Sequence, residues 1–518
     1  MPPIQIYLQR NFSGSGDLYV PFSYTPLVSQ FTPWTPSAGP VIYLSNSIGS
    51  DSYDGLSGTV DGGGVGPKKT IREAQTVSTG GSHILFKRGD TFPDCEFIRN
   101  LCKAGTKDNY TIYGSYGVSP LRPKLEVDSA NPGDKFIWFI ADHQPRYLRW
   151  DGLFFNNYKL DPNDVRHDIS GAVPDIIYFI GGVSNIILED NVFNYTELVF
   201  KDDGGTRPHD YLINRNVWTG AYKENSTTLQ SKRPSNVYAI NCDYFTIIDN
   251  VVDSGGWNPY VPTCGASQYN HNFYFQSGCS DTFHVERNIF TRASSHGVQG
   301  RGGGLFANNF YGRNAVAQGI GYKEEPLPSG QEGHVVDAVA SEGSSMYKGA
   351  TQFDIDFDGD NQRTGAIYGL VCDVIDVAPG AIVSIVNSIA SQMSPEWIIP
   401  TPTMTRGANR AGIDFNGTGP EIDCIEVNWD TPSQGNGPAY LDQTRTLGTY
   451  KNLVETEGKI DNLVTTGYIT ELPTGYDDFD VFMNIVLNRQ LGKWDDEFSA
   501  GAINNYIRVG LNKSPIPF

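Results

Sequence analysis

Short bursts of alternating apolar and polar residues run along this chain, and one burst recurs. It reads IILEDNVF at 186–193, YLINRNVW at 211–218, TIIDNVV at 246–252, FHVERNIF at 283–290 and LFANNFY at 305–311. Alternation with Val, Ile, Phe and Tyr is the mark of a strand with one face toward a core. Each phrase then closes on Asn followed by apolar residues. The asparagines, Asn191, Asn216, Asn250, Asn288 and Asn309, stand 25, 34, 38 and 21 residues apart. A constant phrase at variable spacing predicts a solenoid of short coils with bulging loops; a propeller would need four strands per unit and a steadier period. The expected fold is all-β, a parallel β-helix, with the asparagines stacked along one turn and their amides bonded from coil to coil. The preceding residue runs Asp190, Arg215, Asp249, Arg287. Opposite charges are therefore expected to alternate up the neighbouring column.

The ends depart from this pattern. Residues 1–40 are Pro-rich and aperiodic and read as an arm or attachment segment. IYLSNSIGSDSYDG, GPKKTIREAQTVS and HILFKRGDTF, within 41–94, predict a strand, a Gly/Asp turn, a short helix and another strand. The helix would cap the open end of the core. The solenoid is expected over 41–435. A partly helical module follows over 436–518, with helical patterns at 476–491 and 498–510 and Ser499 as an N-cap.

Composition narrows the function. The 57 Gly, 28 Tyr and 27 Phe fit a turn-rich β structure. A net charge of −20 argues against nucleic acid as a partner, because phosphate binding needs a basic surface. An acidic glycan would need a local cationic site. No apolar run reaches 18 residues, so membrane insertion is not expected. The N-terminus carries no charged n-region or apolar h-region of a classical signal peptide. Seven cysteines without a CxxC pair argue against a zinc site. Cys264 and Cys279 are the pair that would bridge, with buried free thiols as the other reading.

The stretch IYLSNSIGSDSYDG…KKTIREAQ…ILFKRGDTF resembles the N-terminal opening of the pectate-lyase-like right-handed parallel β-helix superfamily. SSHGVQGRGGGLFANNF resembles an inner coil of those proteins, FDIDFDGDNQRTGAIYG a closing phrase, and WDDEFSAGAINNYIRVG a segment of bacterial β-helix proteins. The resemblance covers about 41–510 in patches. It implies a right-handed helix and work on polysaccharides by lyases, hydrolases, epimerases or phage tailspike depolymerases, without fixing the reaction. The aperiodic arm and missing signal peptide favour the tailspike-like branch. That branch implies a homotrimer, other phage tail proteins as partners, and a virion-tail or extracellular location.

Chemistry concentrates between two coils. HNFYFQSG (271–278) and HGVQGRGG (296–303) align without a gap. In register, His271 stacks on His296, Tyr274 on Gln299 and Gln276 on Arg301; SNVYAINC (235–242) sets Tyr238 beside Tyr274. Such a patch suits β-elimination on a uronate polymer. Arg301 would neutralise the sugar carboxylate, His271 or His296 would remove the C5 proton, and Tyr274 would protonate the leaving oxygen or act as base. Tyr238, Gln276, Gln299 and the loop residue Trp257 would bind sugar. The bland reading makes the histidines turn residues and Arg301 the partner of a nearby acid. A hydrolase needs two carboxylates; Asp243, Asp253, Asp281 and Glu286 lie in these repeats, but no spacing singles out a pair. A glycan-binding spike would use the same aromatics without catalysis, and a purely structural spacer would need neither. The run Asp354, Asp356, Asp358, Asp360 resembles half of a calcium loop, yet Gly365 stands where its closing Glu belongs. A solvated strand face explains the run, and calcium is the one cofactor it would suit; otherwise none is expected.

Overall fold

The computed structural model describes residues 39–314 with short internal breaks, strands within 316–427 and, near the C-terminus, chiefly residues 486–487 and 499–510. Residues 1–38, the acidic run 354–360 and most of 436–518 lie outside the described residues.

The alternating phrases form strands, and strand registers across successive coils are parallel. One coil comprises Ser184–Glu189, Val192–Asn194 and Glu197–Lys201; the next comprises His209–Asn214, Val217–Thr219 and Ser235–Ile240. First strands pair with first strands, second with second and third with third. The first two ladders join into a 21-stranded sheet and the third forms a 9-stranded sheet. The chain thus winds as a right-handed parallel β-helix with three faces.

Inward positions carry large apolar side chains that stack from coil to coil. Phe155, Phe193 and Trp218 lie nearly parallel, with ring centres 5.1 and 4.8 Å apart. Tyr211, Phe245 and Phe283 repeat the arrangement at 4.6 and 4.9 Å. Flat rings at one strand position fill the core without changing its cross-section.

The asparagines turn the corner between the first two strands. Asn191 Nδ2 donates to Asn216 Oδ1 (3.1 Å), Asn216 to Asn250 (3.1 Å), Asn250 to Asn288 (2.8 Å) and Asn288 to Asn309 (3.1 Å). Each accepting oxygen also takes the backbone N–H of the asparagine below, and each amide also donates to a backbone carbonyl of the preceding coil. The residue before each takes a left-handed backbone, with φ of 53–55° at Asp190, Arg215, Asp249, Arg287 and Asn308. The expected charge column forms in part. Arg287 grips Asp249 with two bonds of 2.9 and 3.0 Å, while Asp190 is taken by Arg122 from an earlier coil.

Helix α1 (Ile71–Val77) starts where the sequence places it, with Thr70 accepting the Glu73 N–H, and buries Ile71 and Ala74 at the N-terminal end of the core. Helix α2 (Ala500–Gly510) is capped by Ser499, whose Oγ accepts the Ala502 N–H. Its Asn504 amide donates to the carbonyls of Asn308 (2.7 Å) and Asn309 (3.1 Å), meeting the asparagine ladder at its last described step. Cys95, Cys102, Cys242, Cys264 and Cys279 are buried free thiols, so Cys264 and Cys279 do not bridge.

Candidate functional site

The outer face of the 9-stranded sheet gathers the chemistry. Its middle column runs Trp138, Tyr178, Val199, Tyr238, Tyr274, Gln299 and Gly319 by direct register. With about 4.8 Å between strands, this is a stripe of rings and amides along the solenoid axis. Beside it lie Asp175 and Glu197, then Ser235, His271 and His296. On the other side, Gln276 and Arg301 follow directly after paired strand ends.

The structure therefore brings together Tyr238, His271, Tyr274, Gln276, His296, Gln299 and Arg301. His271 and His296 are 3% and 7% exposed, and their Nδ1 atoms are 3.1 Å apart. Ser295 Oγ lies 2.9 Å from the same His296 nitrogen. The His271 ring meets Tyr274 edge to face at 4.8 Å, and the Arg301 guanidinium lies 5.1 Å from the centre of the Tyr274 ring. Tyr238 packs on Tyr274 at 5.6 Å and donates its hydroxyl proton to Gln276 Oε1.

Burial sets the charge states. It holds His271 well below the usual imidazole range, helped by His296 and by the cations of Arg301 and Arg233. His271 is consequently a neutral base at pH 7. Burial also raises the Tyr238 phenol, with Tyr274 adding to the effect. The site sets a neutral imidazole beside a cation and a phenol, which together can take a proton, give one and hold a carboxylate.

Trp257 is not part of this strip. It is half-buried in its loop, packs against Ala266 and donates its indole N–H to Arg292 O at 2.7 Å. Loop packing accounts for it. The carboxylates weighed for hydrolysis are also engaged elsewhere: Asp243 with Arg207, Asp253 with Arg292, and Glu286 with His284 and Arg287. Asp281 lies outside the described residues.

Two acids were missed by the sequence reading. Asp175 and Glu197 are register partners on neighbouring coils, and Glu197 meets the histidine column through Ser235, which pairs with His271 and donates its backbone N–H to the Glu197 carboxyl. Burial pushes Glu197 well above the usual carboxyl range, and Asp175 pushes it further. Tyr178 donates its hydroxyl proton to Asp175 Oδ2. No shared phrase links DIIYFI and ELVFK to HNFYFQSG; the path of the coils brings them beside it.

No protein-family model matches the chain, and no curated protein matches it in sequence. Solved structures do resemble it in shape. The GH136 lacto-N-biosidase from Eubacterium ramulus matches at 13% identity over 77% of this chain, with a TM-score of 0.34. This chain spans 66% of that protein, just under two thirds of its length. An alginate lyase from Paenibacillus matches at 14% identity, over 61% of this chain and 89% of its own, with a TM-score of 0.28. A rhamnogalacturonan lyase matches at 12% identity, over 74% and 87%, with a TM-score of 0.36. At that level the likeness adds nothing to what the strand registers establish. Among the described residues no helix is long and apolar enough to cross a membrane. The chain is a right-handed parallel β-helix, an architecture carried by its own strand registers.

Proposed function

We propose that this protein degrades a polysaccharide, and that its preferred reaction is β-elimination on a uronate-containing chain. The observation that carries the reading is the neutral, buried His271 stacked on His296, beside Arg301 and Tyr274. Arg301 would pair with the sugar carboxylate and make the C5 proton more acidic. His271, engaged through Nδ1, would take that proton at Nε2. The electron pair forms the C4–C5 double bond as the C4–oxygen bond breaks, and Tyr274 gives its proton to the leaving oxygen. The stripe from Trp138 to Gln299 would hold several sugar units along the axis, aromatic faces against sugar rings.

On this reading the protein works outside a cell, released or carried on a phage tail, and light scattering of the purified chain should return the mass of a trimer. The decisive experiment follows absorbance near 235 nm during incubation with acidic capsular and exopolysaccharides. Elimination gives a rise that is lost in Arg301→Ala and His271→Ala. Binding without any rise or new chain ends would sink the enzyme reading in favour of a glycan-binding spike.

A further inference from the structure

We propose that Asp175 and Glu197 form a second acid–base centre on the same strip, one that hydrolyses glycosidic bonds. The proposal takes only its substrate class, a polysaccharide, from the reading above; the residues and the reaction are different.

The two carboxyl groups sit on neighbouring coils, Glu197 two strands and Asp175 three strands below His271. Their surroundings are asymmetric. Glu197 is 6% exposed and accepts one hydrogen bond, from the Ser235 backbone N–H at 3.0 Å. Asp175 is more open and accepts the Tyr178 hydroxyl. The Lys135 ammonium donates to the Asp175 carbonyl at 3.1 Å and lies 5.6 Å from the centre of the Tyr178 ring. A carboxyl that keeps its proton beside one served by a hydroxyl donor is the division of labour that glycoside hydrolysis needs.

A second observation points to a ligand at this place. Ser235, 1% exposed, occupies the column between Glu197 and His271, and its Oγ has no hydrogen-bond partner in the protein. A buried hydroxyl of this kind costs stability unless something completes it, and a sugar hydroxyl lying across the column would do so.

The chemistry balances. Neighbouring strands lie about 4.8 Å apart, close to the short carboxyl separation of about 5–5.5 Å used in retaining hydrolysis. Asp175 attacks the anomeric carbon as the bond to the glycosidic oxygen breaks, and Glu197 gives that oxygen its proton. Glu197, now a carboxylate, takes a proton from water. The water oxygen displaces Asp175, restoring both groups and releasing a sugar with a new reducing end.

The test counts two products of the full chain on the same panel of acidic capsular and exopolysaccharides: new reducing ends, and unsaturated ends near 235 nm. Elimination yields the two in equal number, so hydrolysis is the excess of reducing ends. The expected result is an excess that falls at least about 100-fold in both Glu197→Gln and Asp175→Asn, with the fresh product keeping its anomeric configuration by proton NMR. Gln at 197 retains the oxygen that accepts the Ser235 N–H, and a melting temperature near wild type verifies the fold. Equal counts in the wild-type protein, which depend on no variant, would overturn the proposal. So would an excess that survives both substitutions, or inversion at the anomeric carbon. An excess sensitive to Glu197→Gln with no unsaturated ends would support this centre and sink the elimination reading.

Discussion

The asparagine corner and the lateral strip are both columns of largely buried polar residues on one solenoid, yet they are built on opposite rules. At the corner the same residue recurs on five successive coils, and each amide bonds to the next one in the ladder. Beside it, charge meets opposite charge, as Arg287 does Asp249. On the strip no single residue recurs along the whole column, and pairs of like groups stack: Asp175 under Glu197, His271 under His296. Burial and the neighbouring Asp175 raise Glu197, and burial and the neighbouring His296 lower His271, because like charges at close range resist ionising together. A column that repeats one satisfied side chain maintains the coil, whereas a column that spends stability on like neighbours is placed for chemistry.

If that division is right, substitutions in the two columns should separate rate from stability. The largest effect is expected at Arg301. Replacing it with Ala should lower the elimination rate by about 10²–10³-fold, the range for losing one donor that stabilises developing negative charge. Asn250→Ala should do the reverse. It strands the Asn216 N–H below and removes one donor each from the Asn288 oxygen and the Ile213 carbonyl. At about 1–3 kcal/mol for each buried group left unpaired, the loss should reach about 3 kcal/mol in denaturant unfolding, with little change in rate per folded molecule. A rate loss in Asn250→Ala as deep as in Arg301→Ala would erase the distinction.

The acid and the base of the strip also predict opposite pH trends. The folded protein holds His271 below its unfolded value of about 6.5. The unfolded chain therefore binds the proton more readily, and stability falls as pH drops below that value. The same depression keeps the base neutral, so the acid limb of kcat/KM for elimination should lie below about 6.5. Glu197 is raised instead. Its contribution favours the folded state below the unfolded value of about 4.3 and is lost as pH rises toward the folded one. Glu197→Gln removes that dependence, so its stability relative to wild type should climb with pH. Parallel stability curves for the two proteins would show that Glu197 is not held protonated.

What the sequence reveals follows the same division. The corner was legible because repetition of Asn in a fixed phrase survives loops of any length, and the register of His271 on His296 was legible because two coils share a phrase without a gap. Asp175 and Glu197 were not, because their strands share no motif and the loops before Ser235 and His271 differ in length and content. Only the coil path brings them beside the histidine column. Trp257 shows the converse limit: an aromatic in a long insertion has the composition of a sugar platform, while the bond of its indole N–H to the Arg292 carbonyl is invisible in the sequence. The charge alternation was half legible, since sequence gives the order of Asp190, Arg215, Asp249 and Arg287 but not the approach of Arg122 from another coil.

The smallest effect is expected in the charge column, where Asp249→Asn isolates the ion pair from the backbone. Asp249 sits at a φ of 55°, a conformation that Asn tolerates and β-branched residues do not. The turn itself should therefore survive the change. Arg287 keeps its bond of 2.9 Å to Glu286, so the cation is not left alone. The Asp249 side chain is 30% exposed, and water and salt already screen much of its attraction. The loss should stay within about 1 kcal/mol and shrink as salt is raised. Asp249→Val should cost more, because it adds backbone strain to the lost pair. A salt-independent loss in Asp249→Asn as large as that of Asn250→Ala would mean that the charge column, and not the amide ladder, sets the coil, and the contrast between corner and strip would have to be redrawn around charge.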